Sequence, residues 1–170
     1  MPGFHGTPTY GRVRRYFAHG DVLTGMPEKP IVIGSDHAGY DMKRMLIEEL
    51  RALGRDVLDL GCDGPDSVDY PDFGKAVAEA IAEGKAERGV VVCGTGIGIS
   101  IAANRNARVR AAVCHDETSV RLARAHNDAN VLALGARLIG PEVAKGCLRV
   151  FLATEFAGGR HAVRVAKLGC

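Results

Sequence analysis

The sequence predicts an α/β protein: a three-layer αβα sandwich of the Rossmann-like type, built on a five-stranded parallel sheet. Five short aliphatic runs have the composition of strands that are buried on both faces. Segments with helical apolar spacing separate these runs, and this alternation is typical of parallel sheets covered by helices. The chain has 170 residues, of which 46% are hydrophobic, and this fits one compact domain.

Each element follows from its own apolar pattern. The predicted strands are residues 31–33, 57–60, 89–92, 109–113 and 131–134. Three predicted helices each carry an apolar face, formed by Met42, Met45, Leu46, Leu50 and Leu53, then by Phe73, Val77, Ala80 and Ile81, and last by Val143, Cys147, Val150 and Phe151.

The chain divides into an irregular head and a regular body. Residues 1–29 are rich in glycine and proline and show no periodic apolar pattern, so we expect an irregular N-terminal extension. Residues 30–170 form the single predicted domain. The head could be a transit peptide, a loose tail or a segment upstream of a natural start at Met26, and its lack of serine disfavours the first.

Charge and cysteine content limit the function classes. The formal net charge is +2 and basic residues are spread along the chain, so a nucleic-acid partner is not expected. The five cysteines show no CxxC spacing, and no apolar run is long enough to span a bilayer. We therefore expect a reduced, cytoplasmic protein without a membrane partner.

Polar residues follow several of the predicted strands directly. Asp36 and His37 follow the first strand, the glycine-rich segment 93–98 begins at the end of the third, and Arg137 follows the fifth. Ligands in open parallel sheets bind at the carboxyl ends of the strands, so we expect the functional site there. Segment 125–130, which precedes the fifth strand, is expected near the same edge.

Each feature also has a simpler interpretation. The glycine segment could bind any anion through converging backbone N–H groups, and it lacks the spacing of nucleotide-binding loops. Asp36 could only cap a helix, and Cys93 could be a small buried apolar residue. These alternatives stay open when the residues are taken one by one.

Six motifs taken together resemble ribose-5-phosphate isomerase type B, within the sugar-phosphate isomerase family that includes galactose-6-phosphate isomerase subunits. The resemblance covers roughly residues 30–165. The motifs are GSDHAG at 34–39, DYPD at 69–72, CGTGIG at 93–98, IAANR at 101–105, HNDANVL at 126–132 and GGRHAVRV at 158–165.

The resemblance implies interconversion of ribose 5-phosphate and ribulose 5-phosphate through a cis-enediolate, in the non-oxidative pentose phosphate pathway, without metal or other cofactor. The implied catalytic residues are Cys93, Thr95 and His126. Cys93 matches the base that moves the proton between C1 and C2, and a helix N-terminus favours its thiolate. His126 matches the residue that opens the sugar ring. The loop amides would hold the developing oxyanion.

The resemblance also implies the residues that bind substrate and the assembly. A homodimer or a dimer of dimers with shared active sites is expected, with the C-terminal helix reaching into the neighbouring subunit. Arginine forks suit a dianionic phosphate. The implied substrate-binding residues are Asp36, His37, Tyr70, Gly94, Gly96, Ile97, Gly98, Asn127, Arg137, Arg160 and Arg164.

Two positions depart from the family pattern, and rival functions stay open. Family members without the cysteine carry a glutamate base at the position of Ile99, so this chain is of the cysteine type. His115 is not expected from the family, and its role is open. The alternatives are an isomerase of allose 6-phosphate, galactose 6-phosphate or a tetrulose phosphate, a sugar-phosphate-binding regulatory subunit, and a redox-sensing flavodoxin-like protein.

Overall fold

The computed structural model describes residues 14–16 and 28–169. Strands and helices alternate along residues 28–169, as the sequence predicts. The strands are β1 (Arg14–Tyr16), β2 (Ile31–Ser35), β3 (Val57–Asp59), β4 (Gly89–Cys93), β5 (Ala111–Val113) and β6 (Val131–Gly135). The helices are α1 (Tyr40–Ala52), α2 (Tyr70–Ala82), α3 (Ile97–Ala103), α4 (Glu117–Asn127), α5 (Pro141–Ala153) and α6 (Arg160–Ala166), and a short 3₁₀ helix spans His37–Gly39.

The sheet confirms the five predicted parallel strands. Its order is β1-β3-β2-β4-β6-β5, and strands β2 to β6 pair in parallel. From β2 the chain moves outward to β3 and then returns to the other side of β2 with β4. The reversal of strand order therefore falls between the carboxyl ends of β2 and β4, which is where open α/β sheets bind their ligands.

Alternate residues of the central strands face two separate helical layers. Ile33 and Val92 pack in one core with the apolar faces of α1, α4 and α5. Val32 and Val91 pack in a second core with α2 and α3. All four side chains are fully buried, as expected for strands that are covered on both faces. This confirms the three-layer αβα sandwich.

The head contains a strand that the sequence analysis missed. Arg14–Tyr16 forms β1, which pairs antiparallel with β3 in the register Arg14 with Asp59 and Tyr16 with Val57. The prediction that residues 1–29 are irregular is therefore wrong for this segment. A three-residue edge strand needs only backbone hydrogen bonds, so it leaves no apolar period in the sequence. Met26 lies outside the described residues.

The helices are short relative to a membrane. Within the described part of the chain, no helix has both the length and the apolar character needed to cross a bilayer.

Candidate active site

A cleft of about 390 Å³ opens at the reversal point between β2 and β4. Residues from four separate segments line it, which explains why the sequence motifs are scattered along the chain. The lining residues are Asp36, His37, Ala38, Tyr70, Cys93, Gly94, Thr95, Ile97, Gly98 and Arg137. All but Ala38 were predicted as site residues.

Cys93 ends β4 and is held by the glycine loop that follows it. Its side chain is 4% exposed, and the Gly96 N–H donates a hydrogen bond to its Sγ at 3.1 Å. A backbone N–H directed at sulfur stabilises negative charge there. The glycine loop thus places a hydrogen-bond donor directly on the Cys93 sulfur.

The backbone of the glycine loop is fixed by the segment that follows β6. The Ala136 N–H donates to the carbonyl of Cys93 at 2.9 Å, and the Arg137 N–H donates to the carbonyl of Gly94 at 3.0 Å. Gly96 has a φ of 77°, and a Cβ there would lie 2.9 Å from the backbone carbon of Leu134. Only glycine fits this position without displacing the loop.

Tyr70 closes one side of the cleft by packing against the start of α3. A Cβ at Gly98 would lie 2.6 Å from the Tyr70 ring, so glycine is required for this close approach. The ring is still 42% exposed, which leaves it available to a ligand in the cleft.

Asp36 and His37 enter the cleft from the end of β2. Asp36 is 5% exposed, and its Oδ1 accepts the Gly39 N–H at 3.0 Å, so it caps the 3₁₀ helix His37–Gly39. The Nδ1 atom of His37 lies 3.2 Å from the backbone N of Val68 and 3.3 Å from its carbonyl oxygen. Its other ring nitrogen remains free to meet a ligand.

Arg137 and Thr95 complete the polar lining. Arg137 is exposed, and its guanidinium lies beside Gly94; no described carboxylate forms an ion pair with it. The Thr95 hydroxyl accepts the Ile97 N–H at 3.3 Å, and the side chain is exposed. A cationic fork and a hydroxyl next to a loop of backbone N–H groups suit an oxygen-rich anion.

The remaining described cysteines are Cys62, Cys114 and Cys147, and all three are buried. Burial raises the pKa of Cys62 and Cys114, and it raises the pKa of Cys147 to about 11. Thiols with raised pKa stay protonated at neutral pH and are poor bases or nucleophiles. Cys114 and Cys147 lie in the core between the sheet, α4 and α5, where they act as small apolar residues.

The structure places His126 and Asn127 away from this cleft, at the opposite edge of the sheet. They end α4, and three residues later the Asn130 carbonyl accepts the N–H of Gly89, the first residue of β4. The expectation that segment 125–130 lies near the carboxyl ends is therefore wrong. A helix that starts after β5 runs back along the sheet, so its end meets the amino ends of the strands.

Arg160 and Arg164 lie with His126 rather than with Cys93. They belong to α6, which packs on α4, and the rings of His126 and His161 stack with centroids 4.2 Å apart. Helix α6 has no buried residue, and both arginines are exposed. Their spacing by one helical turn agrees with the prediction of a helical tail.

The sequence analysis missed two contributors. His161 stands between the two predicted arginines in the sequence. That position was the one sequence signal for it. Partial desolvation, followed by the positive charge of nearby His126, Arg160 and Arg164, lowers the pKa of His161. Val68 contributes only backbone atoms to His37, and sequence patterns carry no signal for such contacts. His115 is exposed and does not line the cleft.

Comparison with known proteins identifies the family of the chain. The sequence model of the family described as Ribose/Galactose Isomerase matches residues 31–168. Ribose-5-phosphate isomerase B of Escherichia coli (strain K12) is 44% identical over 137 residues, which cover 81% of this chain and 92% of the relative. D-erythrulose-4-phosphate isomerase of Pectobacterium atrosepticum is 45% identical over 141 residues, covering 82% of this chain and 92% of the relative.

A solved structure shows the same likeness in three dimensions. Ribose-5-phosphate isomerase B of Clostridium thermocellum is 53% identical with a TM-score of 0.81, covering 82% of this chain and 95% of that chain. These matches place the protein among the sugar-phosphate isomerases of the aldose–ketose class. The chain belongs to the ribose/galactose isomerase family.

Proposed function

We propose that this chain interconverts ribose 5-phosphate and ribulose 5-phosphate through a cis-enediolate, at an active site that two copies of the chain build together. The observation that carries the proposal is the thiol of Cys93 at the mouth of the cleft, with the Gly96 N–H on its sulfur. This geometry suits a base that removes a proton from carbon next to a carbonyl.

The reaction needs a base that reaches both C1 and C2 and donors that hold the developing oxyanion. Cys93 takes the proton from one carbon and returns it to the other, so no group is gained or lost. The N–H groups of the glycine loop, with Thr95 beside them, face the enediolate oxygens. Each such donor lowers the barrier by about 3 kcal/mol.

Ring opening and phosphate binding use the second group of residues. His126 matches the family residue that transfers protons during ring opening, and Asn127 lies beside it. Arg160 and Arg164 offer guanidinium forks for the dianionic phosphate, and Arg137 adds a third from the Cys93 side. Asp36, His37 and Tyr70 would bind the sugar hydroxyls in the cleft.

One chain cannot bring these two groups together. In β6 the five residues Val131–Gly135 run from the His126 edge to the Cys93 edge, and such a strand spans roughly 13 Å. The arginines of α6 lie on the His126 side, because α6 packs on α4 and His161 stacks on His126. We therefore propose a homodimer in which His126, Asn127, Arg160 and Arg164 of the partner subunit face the cleft of the first.

Exposed apolar side chains support this assembly. Ile97 and Ile101 lie one turn apart on α3 and are 51% and 50% exposed, and Leu138 beside the cleft is 54% exposed. Large apolar residues grouped around a polar cleft are typical of an interface between subunits.

A four-carbon substrate is a second candidate. The relatives named for ribose 5-phosphate and for D-erythrulose 4-phosphate are equally similar to this chain, at 44% and 45% identity. The choice between them depends on which sugar hydroxyls find partners in the assembled site.

The test is turnover by the wild type and by Cys93→Ala, with ribose 5-phosphate, D-erythrulose 4-phosphate, allose 6-phosphate and galactose 6-phosphate as substrates. We expect activity on the pentose phosphate and a loss of about a thousandfold or more in the variant, because a general base is removed. Normal turnover by Cys93→Ala would refute the base. Turnover of the tetrulose phosphate alone would replace the substrate but keep the mechanism.

A further inference from the structure

A buried ion pair lies near the carboxyl end of β2, the strand that leads into Asp36 and His37. Lys43 of α1 is 2% exposed, and its Nζ donates to both carboxylate oxygens of Asp59, each at 2.9 Å. Asp59 ends β3 and is 6% exposed. A buried ion pair adds little net stability over an apolar pair of the same size, so its presence calls for another explanation.

This pair holds the loop that leaves β3. Lys43 Nζ also donates to the carbonyl of Cys62 at 2.8 Å, and Asp59 Oδ1 accepts the N–H of Gly61 at 2.9 Å. A Cβ at Gly61 would lie 2.6 Å from Cδ of Lys43 and 2.8 Å from the backbone N of Ser35. The start of the loop is therefore tied to α1 and packed against the end of β2.

The far end of the same loop contacts His37. The Val68 N–H can donate to a bare Nδ1, and the Val68 carbonyl can accept from a protonated Nδ1. The Val68 backbone can therefore form a hydrogen bond with Nδ1 whether or not that nitrogen carries a proton. Helix α1 begins directly after the 3₁₀ helix His37–Gly39. Lys43 of α1 therefore contacts the start of the loop, and His37, just before α1, contacts its far end.

We propose that the Lys43–Asp59 pair positions His37: it fixes the loop 61–68, and through Val68 it fixes the orientation of the His37 ring in the cleft. Lys43 and Asp59 are buried, so they do not contact substrate and act only through this loop. The kinetic consequence rests on the substrate contact proposed above for His37.

The test replaces the pair with an apolar one, in Lys43→Met/Asp59→Val, because this exchange avoids a lone buried charge and should keep the fold. Three quantities are measured: the hydrogen exchange rate of the Val68 amide, the ring ¹⁵N shifts of His37, and KM and kcat. The matched control is Glu49→Leu/Arg149→Met. It removes a 2.7 Å ion pair between α1, the helix that carries Lys43, and α5, and this pair lies away from the loop.

We expect the double variant to fold with a lower unfolding temperature, because the Cys62 carbonyl and the Gly61 N–H lose their hydrogen-bond partners. Exchange at Val68 should rise by about tenfold or more, the His37 shifts should move, and KM should rise by about tenfold with a smaller change in kcat. The control should leave all of these unchanged. Wild-type exchange at Val68 and unchanged His37 shifts in the folded variant would overturn the proposal.

Two further outcomes are also decisive. If the Val68 exchange and the His37 shifts change but KM and kcat do not, the positioning role stands and the substrate contact of His37 in the proposed function fails. If the double variant does not fold, the hydrogen exchange rate of the Val68 amide is measured in the wild-type protein. Exchange as fast as that of an unprotected amide would overturn the proposal.

Discussion

The two groups of candidate site residues differ in how firmly the chain holds them. In the cleft, Cys93 and Asp36 are nearly buried, and backbone hydrogen bonds from the segment after β6 fix the glycine loop. Around Arg160 and Arg164 the side chains are exposed on a seven-residue helix without a buried residue. The first group is complete within one chain, and the second is presented outward.

The difference between the two groups matches the two tasks of the proposed function, proton transfer and phosphate binding. Proton transfer at carbon needs a base and oxyanion donors in fixed positions, and in the proposed function these come from the centre of the sheet. Phosphate binding tolerates a longer reach, because arginine forks act through charge and can come from a neighbouring subunit. The predictions below disturb one group at a time.

Among substitutions that leave Cys93 and His126 in place, the largest effect is expected from Gly96→Ala. Its positive φ and the nearby Leu134 backbone leave no room for a Cβ, so the loop must move away from the Cys93 sulfur. We expect a loss of activity of about a hundredfold or more and a cost of about 1–2 kcal/mol in stability.

Gly84→Ala is the matched control for this prediction. Gly84 has a φ of 73° but nothing within 4 Å of its Cβ position, and it lies at the end of α2, away from the cleft. The variant should show the same backbone strain in its free energy of unfolding while kcat/KM stays normal. Equal kinetic losses in both variants would show that strain, rather than loop geometry, determines activity.

A smaller effect is expected from Arg160→Ala and Arg164→Ala. Both arginines are exposed, so the unfolding temperature should hardly change, while KM should rise by about tenfold or more through the lost phosphate contacts. Arg160→Lys should fall between the alanine variant and the wild type, because lysine keeps the charge but loses the fork. Unchanged KM in both alanine variants would remove α6 from the site.

The smallest effect concerns His161. Its pKa is lowered by partial desolvation and by nearby positive charge, so its ring stays neutral to a lower pH than an ordinary histidine. A bound phosphate would favour the protonated form, so it should raise this pKa, and phosphate should bind more tightly as pH falls through that range. An NMR titration of His161 with and without inorganic phosphate checks the shift, and identical midpoints would contradict it.

The sequence predicted the parallel core of the fold well because every core strand carries its own apolar signal. Val90, Val91 and Val92 are fully buried, and this burial is what a run of valines encodes. Strand β1 was missed because Arg14–Tyr16 is defined by its backbone partner, β3, rather than by its own composition.

The residues of the site were predicted one by one, and the resemblance implied a site shared with a second subunit, but the sequence did not show on which edge of the sheet His126 lies. Asp36, Cys93 and Arg137 each lie at the carboxyl end of a strand or within two residues of it, so topology alone brings them to one edge. His126 was expected at that edge because it stands near β6 in sequence, but it precedes the strand instead of following it.

The most direct test of the shared site is complementation between Cys93→Ala and His126→Ala. Each variant alone should be nearly inactive. After the two are unfolded together and refolded, half of the dimers are mixed and each mixed dimer holds one intact site, so activity should return to about a quarter of the wild-type value. A mixture as inactive as its parents would contradict a site built from two subunits.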